Sequence, residues 1–416
     1  MIRTGELLYA WAEDPAIRSC GECGGVVTGL LTYLLEKGAV DAVSVTRQGA
    51  DIYDAGLAII TDPSELLESA GSLICGTHLS AKLLVRYLQD NAGLRMAIVV
   101  KGCEAKAIYE LAKRNRVNLE DHLLIGLNCS GTISPADAAK MIQDMFGMIP
   151  DQVTRITFSQ GRCIVSTPDK TAAVPIDELE SAGYGRRLCC QRCQTRIPRQ
   201  CDIVCGTWGV VGEDTNQVTC VEICSTKGAE MVQDAILAGC LASVPADPKG
   251  KEARSRVEDA MILISQKNRD LQFGEVGSGN NILDLMMKET SRCIKCYQCT
   301  EACPLCICED CRIKKPWLVK PGQVPPPFMF HLIRLSHVAD SCVNCGQCED
   351  RCPMEIRNSL FMNALQYELE LMFGYHAGEK AGSPVLAKVN ELEEWEHNYG
   401  DNYEERSEVF RKTAMR

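Results

Sequence analysis

Two stretches of the chain carry the same thiol pattern. Cys293, Cys296, Cys299 and Cys303 are followed by Pro304 in the spacing C-x2-C-x2-C-x3-C-P. Cys342, Cys345, Cys348 and Cys352, followed by Pro353, repeat it without deviation. That spacing wraps three thiolates around one iron–sulfur cubane and sends the fourth to a neighbouring one. We therefore expect one [4Fe–4S] cluster on Cys293, Cys296, Cys299 and Cys352, and another on Cys342, Cys345, Cys348 and Cys303. Zinc also accepts C-x2-C pairs, but two complete copies, each closed by Cys-Pro, favour iron and sulfide. Cross-ligation brings the two clusters close, which suits electron transfer rather than two independent sites.

The whole chain has 416 residues and 25 cysteines. Its first twenty residues lack the apolar core of a secretory signal, and no apolar run is long enough for a membrane span. We expect a cytoplasmic protein, in which thiols stay reduced and serve metals rather than disulfides. The formal net charge of −11 argues against nucleic acid and weakly against a membrane surface as partner. Cys306, Cys308 and Cys311 could supplement a cluster or hold a metal of their own, but the simpler expectation is small buried side chains. His78 and His122 are read as structural. No Ser-His-Asp set or carboxylate pair suggests hydrolysis.

The elements that must position these thiols follow from periodicity. Strands are expected at Asp41–Arg47, Gly56–Thr61, Gly71–Cys75, Arg95–Lys101 and His122–Leu127. Helices are expected at Ser80–Asp90, Glu104–Arg114 and Pro135–Phe146 between them, and at Lys227–Ala238 and Lys251–Ser265 beyond. Val153–Phe158 and Arg162–Ser166 read as a hairpin. The result is an α/β (α+β) domain with a mixed sheet over residues 1–270, then a Gly-rich linker at 271–291. A ferredoxin-like domain with two [4Fe–4S] clusters spans 292–355, and a charged helical tail runs from 356 to 416.

Read in order, several segments resemble the beta-subunit family of coenzyme F420 hydrogenases and dehydrogenases. They are GGVVTGLLTYLLEKGAVDAV at 24–43, VVKGCEAKAIYEL at 99–111, LLIGLNCSGTISP at 123–135, RRLCCQRC at 186–193, CDIVCGTWG at 201–209 and CSTKGAE at 224–230. The resemblance covers about residues 20–240 and implies reduction of coenzyme F420, a deazaflavin, through bound FAD and a third [4Fe–4S] cluster. By matching position it implies Cys103, Cys129, Cys190 and Cys193 as that cluster's ligands. Gly102-Cys103 lacks the family's intervening proline, and Cys201 and Cys205 compete for the fourth place, whereas Cys189 and Cys220 are read as bystanders.

The flavin site is expected from glycines and polar groups at element ends. Gly24, Gly25 and Thr28 open a helix that could hold phosphate. Cys20 and Cys23, just before it, could form a metal half-site, but the preferred reading is two thiols near a bound flavin. Thr77, Ser80 and Lys101 follow strands, Gly206, Trp208 and Gly209 could line the ring or its dinucleotide arm, and Thr226, Lys227 and Gly228 open another helix. Arg186, Arg187 and Arg192 are candidates for a basic patch facing the anionic F420. The tail at 292–355 is similar to that of the formate dehydrogenase branch of the family. That likeness implies a formate-oxidising catalytic alpha subunit as partner. A hydrogenase or heterodisulfide reductase complex in its place, or a flavin-free electron-transfer adapter, are the alternatives.

Overall fold

Short runs of Val, Ile, Leu and Ala build the centre of the molecule, because β-branched and aliphatic side chains suit a sheet covered on both faces. The computed structural model describes residues 1–212, 217–277, 282–308 and 310–385. Eleven strands are found among them: β1 (Leu7–Ala12), β2 (Ala42–Gln48), β3 (Ala55–Ile60), β4 (Met96–Val100), β5 (Leu123–Leu127), β6 (Arg155–Ser159), β7 (Arg162–Ser166), β8 (Thr171–Pro175), β9 (Ile203–Gly206), β10 (Thr219–Ile223) and β11 (Leu241–Pro245). Eight of them form one mixed sheet in the order β11-β1-β10-β9-β5-β4-β2-β3, and β6-β7-β8 form a small antiparallel one. Strands β2, β4, β5 and β9 run parallel. Their carboxyl ends therefore lie along one edge, where ligands of open α/β sheets bind.

Helices cover both faces of the sheet. Val26–Glu36 and Thr226–Leu237 bury Leu30, Leu31, Leu34, Met231 and Val232 against one side. Ala81–Asp90 and Gly102–Ala112 bury Leu84, Leu88, Ile108 and Leu111 against the other. The same apolar cluster takes in Leu305, Val338, Ala339, Val343 and Met362 from the cysteine-rich region. That region is thus packed onto the helical layer of the sheet domain. A buried polar joint reinforces the contact. Glu110 accepts from the Tyr375 hydroxyl at 2.6 Å, the Gly378 N–H at 2.8 Å and Arg114 at 2.7 Å, and Arg114 donates in turn to the Ser341 hydroxyl at 2.7 Å.

Two expectations are corrected. Gly71–Cys75 is no strand: Gly71 has φ +98° and a turn closes from the Gly76 N–H to the Leu73 carbonyl at 3.0 Å. Residues 271–291 are largely helical rather than an open linker. A helix runs from Pro248 to Gly277 and another from Ile282 to Thr290. Phe273, Leu285 and Met286 pack with Leu360 and Phe361, so apolar contact outweighs the glycines. Residues 278–281, the second half of the glycine-rich stretch at 274–281, and 386–416 of the expected tail lie outside the described residues. Up to 385 the tail contains one long helix, Asn358–Phe373. No helix among the described residues is long and apolar enough to cross a membrane.

Candidate metal and cofactor site

The two cysteine repeats fold alike. Lys295 and Tyr297 have φ of +56° and +61°, and their counterparts Asn344 and Gly346 have +52° and +74°. These left-handed residues flank Cys296 and Cys345 and curl each loop around its thiols. A one-turn helix follows in both repeats, Gln298–Glu301 and Gln347–Asp350. Backbone N–H groups point at sulfur in both, Lys295 to Cys293 at 3.4 Å and Asn344 to Cys342. Such N–H···S contacts favour thiolate and hence metal ligation.

Cys293, Cys296, Cys299 and Cys352 share one cavity of about 360 Å³, walled by Ile294, Phe330, His331 and Met354. Cys352 enters from the second repeat. Cys303 crosses the other way: the charged groups beside it include Cys345, Cys348 and Cys342, each of which it neighbours. Cys306 donates its thiol hydrogen to Cys303 and, as the largest influence, brings that thiol down to about 5. This gives Cys306 a partner, while Cys311 packs with Ile313, Val319 and Phe330.

A second cavity, of about 460 Å³, lies at the carboxyl edge of the large sheet. Cys103 stands just after β4 and Cys129 just after β5. Cys190 and Cys193 come from the short Leu188–Gln191 helix and the turn after it. All four line this cavity, with Cys189 at its wall, whereas Cys201 and Cys205 are buried in strand-packed layers elsewhere. The Cys189 thiol donates to Cys190, which together with Arg187 and Thr132 holds the Cys190 thiol well below its ordinary value despite burial. Burial pushes the Cys103 and Cys129 thiols up, so a metal binding there must displace their protons. Four thiols line each cavity, the donor chemistry an iron–sulfur cluster takes, although among the described residues no three His, Cys, Asp or Glu side chains converge on a single metal ion.

The second cavity touches the cysteine repeats directly. Cys345 and Asn344 form part of its wall. Arg187 donates to the Cys345 carbonyl at 2.9 Å and pairs with Asp350. Asn344 donates to the Cys189 carbonyl at 2.9 Å, and Arg192 donates to Asn344 at 3.0 Å, Gln272 at 2.7 Å and Ser359 at 2.7 Å. Arg186 is buried against Glu180 at 2.5 Å. These arginines are therefore spent inside the protein and do not form an exposed patch for an anionic substrate. Sequence reasoning missed Arg334, a buried cation among the thiols of the repeats. Its signal was a lone arginine inside the apolar run FMFHLIRL.

The residues expected around a flavin divide between the two edges of the sheet. Gly24 and Gly25 start the Val26–Glu36 helix beside the end of β1, where the Ala12 N–H donates to the Gly24 carbonyl at 2.7 Å. Both have positive φ, and a Cβ on Gly24 would come within 2.7 Å of the Gln217 carbonyl. Thr28 lies in the first turn of that helix. Gly206 ends β9, and a Cβ there would meet the Asn128 amide oxygen at 1.4 Å. That oxygen is buried with no hydrogen-bond partner in the protein. Gly209 has φ +100° and accepts from the Tyr9 hydroxyl at 2.7 Å, and the Trp208 carbonyl accepts from Arg254 at 3.1 Å. Thr77 and Lys101 line the second cavity. Lys101 donates to the carbonyls of Gly76 at 2.7 Å and His78 at 3.2 Å. Ser80 is buried and donates to Glu104 at 2.9 Å, a role in holding the loop.

Thr226, Lys227 and Gly228 stand at the opposite edge. Their helix starts beyond the end of β10, next to the beginnings of β5 and β9. The Gly228 N–H is capped by Ser225 at 2.9 Å, and Lys227 donates to the carbonyls of Glu120 at 3.0 Å and His122 at 2.5 Å. A Cβ on Gly228 would come within 2.2 Å of the Asp202 carbonyl, so this glycine is required for packing. The structure does not bring these three together with the rest.

Family models match the chain in two adjoining parts. The N-terminal part of the coenzyme F420 hydrogenase/dehydrogenase beta subunit matches residues 7–84, and its C-terminal part matches 93–249. The F420-dependent formate dehydrogenase 1 subunit beta of Methanococcus maripaludis is 40% identical over 387 residues, covering 92% of this chain and 97% of its own. The F420-dependent formate dehydrogenase subunit beta of Methanocaldococcus jannaschii is 40% identical over 91% of this chain and 98% of its own. A chain of the F420-reducing [NiFe] hydrogenase complex from Methanosarcina barkeri has a similar fold, with TM-score 0.55, 19% identity, 65% of this chain and 93% of that one. With matching models over more than half its length and relatives this similar end to end, the chain belongs to the coenzyme F420 hydrogenase/dehydrogenase beta-subunit family, and it is an oxidoreductase subunit.

Proposed function

We propose that this chain is the beta subunit of an F420-dependent formate dehydrogenase, receiving electrons from a formate-oxidising alpha subunit and delivering them as a hydride to coenzyme F420. The observation that carries the reading is the contact between the thiol sets: Cys345, of the second repeat, walls the cavity of Cys103, Cys129, Cys190 and Cys193. Three [4Fe–4S] clusters, on the cysteine sets described above, would supply one-electron transfer, and FAD would supply conversion of two single electrons into a hydride. FAD would be held along the carboxyl edge of the sheet, by residues drawn from Gly24, Gly25, Thr28, Thr77, Lys101, Gly206, Trp208 and Gly209.

The protein's own part is spacing and insulation. Arg187, Asn344 and Arg192 tie the loop of the second repeat to the wall of the sheet-edge cavity, which fixes the separation of the two thiol sets. Apolar side chains such as Phe330 and Ile356 wall the first set, while Cys296 is exposed. The Lys101 ammonium lies beside the Cys103 and Cys129 thiols and favours negative charge there. The 40% identity to two formate dehydrogenase beta subunits over nearly their whole length favours formate oxidation as the source of electrons.

Anaerobic purification with iron, acid-labile sulfide and flavin counts tests the reading. About twelve irons per chain are expected from three cubanes, with one FAD. Eight irons and no flavin would refute it in favour of a simple electron-transfer adapter. Formate-dependent F420 reduction by the purified complex then separates formate dehydrogenase from the hydrogenase and heterodisulfide reductase alternatives.

A further inference from the structure

The helix Phe328–Val338 places Arg334 in the interior, 4% exposed. Its guanidinium donates to the Cys299 carbonyl at 3.0 Å. It lies among the thiols of Cys299, Cys348, Cys306 and Cys303, close enough to Cys348 to hydrogen-bond its sulfur. Cys299 belongs to one four-thiol set, while Cys303 and Cys348 belong to the other. The Arg334 Nε is buried and has no hydrogen-bond partner in the protein. Among the described residues no carboxylate pairs with it. Arg187, at the next junction, differs on this point because it is neutralised by Asp350.

A buried guanidinium without a counter-ion costs several kcal/mol, and proteins retain one only where an anion compensates it. A cubane held by four thiolates is a net anion, and each electron it gains adds one negative charge. A fixed cation favours the more negative state, in inverse proportion to distance and most strongly where water is excluded.

We propose that Arg334 is the shared counter-cation of the two ferredoxin-type cluster sites and sets both of their reduction potentials above those they would have without it. Its place between the two thiol sets, rather than beside one, makes it act on the pair. The charge is permanent, since guanidinium does not deprotonate in proteins. It therefore biases both sites in the same direction at every working pH. This inference rests on the assignment of two clusters to the repeats.

The test is an EPR-monitored redox titration of the complete complex carrying Arg334→Gln or Arg334→Lys. Wild-type iron counts come first: fewer than two clusters on the repeats would refute that assignment rather than this inference. With both clusters present, Arg334→Gln is expected to lower both midpoint potentials and leave that of the third cluster in place. Arg334→Lys, which keeps the charge, is expected to keep both near wild type. Unchanged potentials in a fully loaded Gln variant would overturn the proposal. If the Gln variant fails to hold iron, the Lys variant decides. Full loading with near wild-type potentials supports a charge role. Potentials that fall despite the lysine, or loss of iron in the Lys variant too, would overturn it in favour of a purely structural arginine.

Discussion

Arg187 and Cys345 are 158 residues apart in sequence, yet the guanidinium of one meets the backbone carbonyl of the other at 2.9 Å. Arg187 precedes the helical turn carrying Cys190, and Cys345 sits in the loop of the second cysteine repeat. One bond thus joins the sheet-edge cavity to the repeats, and the Asp350 carboxylate on the same guanidinium doubles the link.

Replacing Arg187 with Met keeps the bulk and removes the charge. Asp350 then loses its partner, but its side chain is 29% exposed and water relieves part of the penalty. We expect a loss of about 1–3 kcal/mol, read as a lower Tm of the complex. Iron content should stay at the wild-type level, while the rate of formate-dependent F420 reduction should fall. A variant with wild-type Tm and rate would show that the link contributes nothing.

Cys190→Ala should cost about four irons, a third of the total for three cubanes, and leave about eight. Iron and sulfide counts with EPR of the reduced protein check this. Loss of all clusters together would contradict separate thiol sets.

Gly206→Ala and Lys227→Met should part company in flavin content. The alanine Cβ would strike the Asn128 amide, which must move or strain the strand end, at a cost of about 1–3 kcal/mol. Flavin per chain should drop in Gly206→Ala and remain at the wild-type level in Lys227→Met, since Lys227 lies at the other edge of the sheet. Flavin lost in the Lys227 variant alone would reverse the placement of the cofactor.

Glu110 carries a pH signature. Burial raises the pKa of its carboxyl, but the donors Tyr375, Gly378 and Arg114 outweigh burial and hold it below the usual value. A depressed carboxyl contributes stability that is complete above the unfolded pKa and lost as pH falls through the folded one. Glu110→Gln leaves Arg114 without its charge partner and should cost about 3–5 kcal/mol. The Tm gap between wild type and variant should be flat from roughly pH 8 to pH 5, above the unfolded carboxylate range, and close only in more acidic solution. A gap that narrows already near neutrality would show that the carboxyl is not held low.

Spacing made the neighbours within the repeats legible, with Cys352 beside Cys293, Cys296 and Cys299 and Cys303 beside Cys342, Cys345 and Cys348, because the C-x2-C-x2-C-x3-C interval curls one loop and reaches to the next. The core strands β2, β4 and β5 were legible because each is a short apolar run bounded by turns. Strands β8, β1, β9, β10 and β11 were missed, the last four of them in the large sheet. Cysteines, a threonine and a tryptophan in these four do not alternate cleanly, and β1 and β11 pair only with antiparallel neighbours distant in sequence. The glycines of Gly24-Gly25 and Thr226-Lys227-Gly228 look alike in sequence, since both precede an amphipathic helix. Only strand direction tells that one pair faces the cavity edge and the other faces Asp202. The basic run at 186–192 looked like an anion patch because sequence does not say which arginines are buried.

Cys352 completes a thiol set whose first member is Cys293, and the stretch between them contains all four thiols of the other set. No partial chain emerging from the ribosome can hold the first set closed before residue 352 has been made. On the proposed cluster assignment, metal loading of the repeats would be a late event in biogenesis, and a truncation anywhere before Cys352 would leave the first set without its fourth thiol however well the preceding sheet domain has folded.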